Sequence, residues 1–197
     1  MSFTDKAVSV LQKGGIILVP TDTHFALAAD PFCPDAVSKL MLLKTSLSVK
    51  DITLCFCDLT GIWAWVEVSQ WQRNKIEVLS RAFWPGTLKV HLQKRQQEAA
   101  LPGEGNTVSV VCVKNHQMRN IISRLGRPLM VIPAGAQQHT GGLVSFTIAR
   151  EDLGDWVDLV VPSNSKNLTR QATTHISLLN DQVSILRRGE LDISALL

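Results

Sequence analysis

The sequence predicts an α/β fold: one domain spanning 1–197, built on a twisted open sheet of mixed strand direction with flanking helices. Three observations carry this. Short β-branched runs alternate with amphipathic helical patterns along the early chain. Near the end, HISLL and VSIL flank Asn180-Asp181, which reads as a hairpin and adds antiparallel pairing to the sheet. No repeat or low-complexity linker divides the 197 residues, and a hydrophobic content of 45% is enough for a buried core.

Taken in order, Thr4 can cap a helix whose Ala7, Val8, Val10 and Leu11 form one stripe, with Gly14 and Gly15 stopping it. Ile16 to Val19 is a buried strand ending at Pro20. Pro34 to Lys44 is a helix with Pro34 in its first turn, and Asp51 to Cys57 is the next strand. Ser69 to Phe83 is a longer helix with Trp71, Ile76, Leu79 and Phe83 inward. Trp84-Pro85-Gly86-Thr87 forces a turn before the strand Leu88 to Leu92. The polar stretch Gln93 to Asn106 is a loop, and TVSVVCV, Thr107 to Val113, is a strand. His116 to Leu125 is a helix, Leu129 to Ile132 a short strand, Phe146 to Leu153 a helix and Leu159 to Val161 a strand.

Composition excludes several classes. A net charge of +3 and a pI near 8.8 suit anionic ligands without marking a nucleic-acid arm. No apolar stretch reaches the ~18 residues a membrane helix needs. The opening MSFTDKAVSVLQKGG resembles neither a signal nor a transit peptide, so a cytoplasmic protein is expected. Cys33, Cys55, Cys57 and Cys112 read as free thiols, with Cys55 and Cys57 on one strand face. There is no glycine-rich dinucleotide fingerprint and no Walker A sequence. His91, His116, His139 and His175 lack metal-ligand spacing, and no metal site is expected from them. Ser109 and Ser145 lack a recognisable base partner. Arg119, Arg124 and Arg127 read as a solvated face.

Three loops could carry chemistry. Thr21, Asp22 and Thr23 stand just past a strand's carboxyl end, where open α/β sheets bind ligands. On spacing alone a plain strand-to-loop turn is the leading reading. Lys44 and Lys50 flank Thr45, Ser46 and Ser48, a combination suited to phosphate or carboxylate, or else to a solvated helix end. The third loop, Pro133 to Gly142, is rich in glycine.

In order along the chain, VPTDTHFALAADP, FWPGTLKVHL, VSVVCVKNH, the run from Pro128 to Leu153, and ATTHISLL with ILRRGEL resemble the motifs of the YrdC-like family of threonylcarbamoyl-AMP synthases. The resemblance implies a YrdC-like twisted sheet with a concave basic cavity. It implies a reaction joining L-threonine, bicarbonate and ATP, with magnesium on the phosphates, to feed a tRNA modification. Thr23 then matches the threonine-binding hydroxyl, with Thr21 and Asp22 shaping that pocket. Lys44 and Lys50 match the lysines of a basic loop, Thr173 and Thr174 a hydroxyl pair near the nucleotide, and Thr140 a serine of the glycine-rich loop. Further implied partners are tRNA or double-stranded RNA and other tRNA-modification proteins; no membrane is implied. The chain departs from the pattern in carrying Phe25 and Ala26 after the opening motif and Ser46-Leu47 in place of arginine-proline. It also has Cys112 in place of arginine, and Pro133 and Gly135 in place of serine and asparagine. Arg119, Arg124 and Lys89 are the candidates to replace the missing guanidinium groups. These departures motivate an alternative, a catalytically silent nucleotide- or RNA-binding module of the same fold.

Overall fold

The computed structural model describes residues 2–96, 105–135, 146–163 and 171–194. Ser2, not Thr4, opens the first helix. Its hydroxyl accepts from the Asp5 N–H at 3.1 Å while the Asp5 carboxylate accepts from the Ser2 N–H at 3.2 Å, a reciprocal cap that starts α1 (Phe3–Gln12). The chain continues as β1 (Ile17–Pro20), β2 (Phe25–Ala29), α2 (Pro34–Ser46), β3 (Thr53–Phe56), β4 (Val66–Glu67), α3 (Gln70–Phe83) and β5 (Leu88–Lys94). Then come β6 (Thr107–Cys112), α4 (His116–Leu125), β7 (Leu129–Pro133), α5 (Phe146–Leu153), β8 (Leu159–Val160), β9 (Thr174–Ser177) and β10 (Ser184–Arg187).

The strands form one sheet in the order β10-β9-β5-β6-β3-β7-β2-β1-β8, with β4 on β5. The pairs β1–β8, β3–β6 and β5–β9 are parallel, and the rest are antiparallel. β9 and β10 form the expected hairpin around a short 3-10 turn, Leu179–Asp181.

Alternation sorts the side chains between two faces. Leu18, Leu27, Leu54, Val90 and Ile176 pack with Leu40 of α2 and Ile76 of α3. The intervening residues Ile17, Ala28, Cys55, Val111 and Leu129 pack with Leu11 of α1 and Ile122 of α4. Burying an aliphatic side chain of this kind contributes about 1.5–3 kcal/mol. Among the described residues, β5, β9 and β10 add nothing to that second cluster. On β5 the second face carries Lys89 and His91 instead, between Leu88, Val90 and Leu92. The far end of this face therefore stays polar, and a cavity opens where it meets the apolar half.

Several elements depart from the sequence-based reading. β2 was not foreseen. All five of its residues are buried, so FALAA shows no period of two. Trp71 lies outward, 40% exposed, while Gln72 turns inward and donates to the Leu178 carbonyl at 2.7 Å. A satisfied amide can take a core position that hydrophobic pattern alone assigns to an aromatic ring. The helix α2 runs on through Thr45 and Ser46, β5 extends to Lys94, and Cys57 lies beyond β3. All four cysteines are free, with Cys55 and Cys112 buried. Among the described residues, no helix is long and apolar enough to cross a membrane.

The Trp84-Pro85 corner sets the path into β5. The Trp84 Nε1–H donates to the Leu88 carbonyl at 2.7 Å, and the Gly86 N–H donates to the Cys112 carbonyl at 2.9 Å. A Cβ on Gly86 would sit 2.6 Å from the Phe83 carbonyl oxygen, so only glycine fits this corner without a shift.

Candidate functional site

The turn joining β1 to β2 is organised by one hydroxyl. Thr21 Oγ1 donates to the His24 carbonyl at 2.6 Å and accepts from the N–H groups of Thr23 and His24 at 3.2 and 3.1 Å. Its hydrogen-bonding capacity is thereby used on the turn itself. Asp22 reaches a different element: its carboxylate accepts from the backbone N–H of Lys114 at 2.7 Å and from that of Asn115, where α4 begins. Burial pushes the Asp22 carboxyl pKa upward, against the pull of those two hydrogen bonds. Thr23 is buried, with its hydroxyl 2.7 Å from His24 Nδ1.

These residues line a cavity of about 680 Å³, mouth included, of which about 80 Å³ admits the centre of a water molecule. Two cations stand in the same cavity, Lys89 from β5 and Arg187 from the end of β10. Both donate to the same oxygen of Asp51, Oδ2, at 2.7 and 3.0 Å. Arg187 Nε–H also donates to the Thr173 carbonyl at 3.1 Å, and Lys89 Nζ lies 3.5 Å from Thr53 Oγ1.

This cluster sets the ionisation of its neighbours. Burial works against the Asp51 charge, but Lys89 and then Arg187 outweigh it and hold the carboxyl well below the usual carboxylate range. Burial draws Lys89 downward, with Asp51 resisting. Burial first, then Lys89 and Arg187, bring His24 down to about 4. Burial and Lys89 bring His175 to about 3. Both imidazoles are therefore neutral at neutral pH.

The expectation that Ser109 lacks a base partner is overturned. His91 Nδ1 and His175 Nε2 each lie 3.1 Å from its hydroxyl. Ser109 faces His91 across β5–β6, and His175 faces Lys89 across β5–β9, so strand pairing assembles the cluster. The hydroxyl is buried and lies outside the cavity lining, so it bridges strands rather than meeting a substrate.

Of the residues expected from the sequence, Thr21, Asp22, Thr23 and Thr173 line the cavity together. Thr174 is buried beside it, its hydroxyl donating to the Leu191 carbonyl and accepting from the Leu191 N–H, both at 2.9 Å. Lys44 sits in the last turn of α2 and Lys50 is exposed; neither lines the cavity. Thr140 lies outside the described residues.

Of the replacement cations, only Lys89 stands there. Arg119 donates to the carbonyls of Cys57 and Val113 at 2.6 and 3.1 Å, and Arg124 lies 3.4 Å from Asp5. Arg127 is not simply solvated either, since it pairs with buried Asp30 at 2.8 Å. The departures Ala26 and Pro133 line the cavity, whereas Cys112 is buried, its thiol pushed up to about 12 by burial.

His24, Asp51 and Arg187 were missed. Lys89 and His91 had a visible signal, since they interrupt an apolar strand at every second residue. Asp51 and Arg187 had none, because they meet across 136 residues of sequence. Among the described residues, no group of three or more His, Cys, Asp or Glu could hold a metal. Asp22 and Asp51 are already engaged by N–H groups and cations, so the residues present do not fit a resident metal ion.

The Sua5/YciO/YrdC family model, described as telomere recombination, matches residues 9–189. The chain belongs to the Sua5/YciO/YrdC family. It is 31% identical over 187 residues to the threonylcarbamoyl-AMP synthase of Idiomarina loihiensis, covering 93% of this chain and 97% of that protein. The crystal structure of E. coli YciO matches 98% of this chain and 92% of its own, at 20% identity and a TM-score of 0.83. Sua5 of P. abyssi, solved with L-threonine, matches at 19% identity and a TM-score of 0.84. There this chain covers 55% of the longer protein. At such identities these structures establish the shared Sua5/YciO/YrdC fold, an open mixed sheet with flanking helices in a single domain.

Proposed function

We propose that this member of the Sua5/YciO/YrdC family forms threonylcarbamoyl-AMP from L-threonine, bicarbonate and ATP. The observation that supports it is one cavity lined jointly by buried Thr23 and the cations Lys89 and Arg187, in a chain similar over nearly its whole length to a named synthase. The chemistry asks for positioning more than covalent help. A carbamate oxygen attacks the α-phosphorus, the bond to the β-phosphate oxygen breaks, and pyrophosphate leaves. Both reactants are anions, so fixed cations lower the cost of bringing them together. Lys89 and Arg187 would neutralise that charge. Thr23, whose hydroxyl is shared with His24, would orient the amino acid. The His24 imidazole is neutral at neutral pH, so the positive charge at this site comes from Lys89 and Arg187. Magnesium enters as part of the ATP substrate, held by the phosphates. The product would serve tRNA modification in the cytoplasm.

Incubating the purified protein with ATP, L-threonine and bicarbonate tests this. The expected result is pyrophosphate release together with an adenylate of the threonylcarbamoyl mass. No product above a protein-free blank overturns it. A second reading, a silent binding module, is favoured by Pro133 in the lining, which has no N–H to offer a nucleotide, and by the narrow accessible space. ATP or RNA binding by calorimetry without turnover would support that reading instead.

A further inference from the structure

Another cavity lies at the opposite ends of β3 and β7, where β2 and β3 finish and β7 begins. It shares no lining residue with the first. It measures about 1060 Å³, mouth included, of which about 580 Å³ admits the centre of a water molecule. That is the size of a small-molecule pocket, about 300–1,000 Å³. Phe32 on its wall is 52% exposed, its ring edge-on to Trp65 at 5.3 Å between centroids. Such a ring has surface left for a second planar group.

Two charged side chains line the same cavity. Asp58 is exposed; its Oδ1 accepts from the Gly61 N–H at 2.9 Å, and its Oδ2 meets only the Cys57 thiol, at 3.4 Å. Arg127 lies 5.3 Å from the Phe32 ring centre and gives Nη2 to buried Asp30 at 2.8 Å. Its Nε–H is buried with no partner among the described residues, so this guanidinium is short of acceptors. The charges balance: Arg127 and Arg119, which holds the Cys57 carbonyl, stand against Asp30 and Asp58. Arg124, beside lining Ser123, pairs with Asp5 instead. The Cys57 thiol adds no charge, since burial and then Asp58 push its pKa up. This wall suits a neutral planar molecule with one edge of donors and one of acceptors.

We propose that this cavity binds a guanine base. The ring lies against Phe32, its N1–H and 2-amino group donate to Asp58, and its O6 and N7 accept from the Arg127 Nη groups. Adenine or cytosine would set a ring-nitrogen lone pair against the carboxylate. The base comes from a free nucleoside or from single-stranded RNA. This inference goes beyond the reading of the first cavity and does not depend on it.

Calorimetry with guanosine, inosine, adenosine and cytidine decides it. Guanosine should bind about tenfold or more tightly than the other three, inosine lacking only the 2-amino group. Asp58→Asn, which keeps an acceptor for Gly61, and Phe32→Ala should each weaken guanosine about tenfold or more. Both positions are exposed; should one variant fail to fold, the other carries the test. Arg187→Gln, in the first cavity, should leave guanosine affinity within about twofold. A single-stranded RNA hexamer with one guanine separates the sources: tighter binding than guanosine assigns the base to RNA, equal or weaker binding to the free nucleoside. Adenosine or cytidine binding as tightly as guanosine overturns the proposal. So does guanosine affinity unchanged in Asp58→Asn or Phe32→Ala, or lost in Arg187→Gln. Absence of binding by both guanosine and the hexamer up to about 1 mM overturns it too.

Discussion

Acid should unfold this protein through His24. The imidazole is buried beside Lys89 and Arg187, and its pKa falls from 6.5 to about 4. In the unfolded chain it takes a proton near 6.5; in the folded protein it does not until about 4. A depressed histidine contributes stability that is complete above the unfolded value and is lost as pH falls towards the folded one. The interval from 6.5 to about 4 is about 2.5 pH units. At about 1.4 kcal/mol per unit, His24 accounts for about 3 kcal/mol over that window. His175 acts in the same direction, whereas the raised Asp22 carboxyl acts in the opposite one. Comparison with His24→Gln removes both contributions from the difference. Urea unfolding should be measured from pH 7.5 to 4.5 on the two proteins. The wild-type advantage over the variant should shrink by about 2–3 kcal/mol across that range. A difference that stays flat with pH would refute the buried neutral imidazole.

Two further substitutions probe the walls of the cavity. Asp22→Ala leaves the N–H groups of Lys114 and Asn115 without their acceptor and should cost about 1–3 kcal/mol in urea unfolding, with amide exchange rising first at those two residues. Gly189→Ala sets a Cβ against the Ala172 carbonyl and the backbone of Thr173 and Thr174. It should lower the melting temperature by several degrees and weaken ligand binding by shifting Thr173.

Much of the architecture was legible because it is written in local pattern. The helices His116–Leu125 and Phe146–Leu153 fall on their expected residues, the first with a clear apolar stripe and a glycine stop. The strand Phe25–Ala29 was not legible, because burial on both faces erases alternation and alanine is a weak strand signal. The site followed the same division. That Thr21, Asp22 and Thr23 stand beside a cavity was legible from their place at a strand's end. Their individual duties were not, because whether a hydroxyl serves a turn or a ligand depends on partners such as the His24 carbonyl. The cationic floor combines β5, the segment before β3 and β10, and only sheet order brings Lys89, Asp51 and Arg187 together.

The sheet order has a consequence for synthesis. Ile17 and Leu18 wait for Leu159 and Val160, and Leu88 to His91 wait for Thr174 to Ser177. A growing chain therefore carries one unfinished strand border until Val160 has left the ribosome and a second until Ser177 has. Such late closures fold slowly and expose sticky edges meanwhile. A nascent-chain series should gain protease resistance abruptly after about residue 190 has emerged, not in proportion to length, and shorter fragments should bind holdase chaperones.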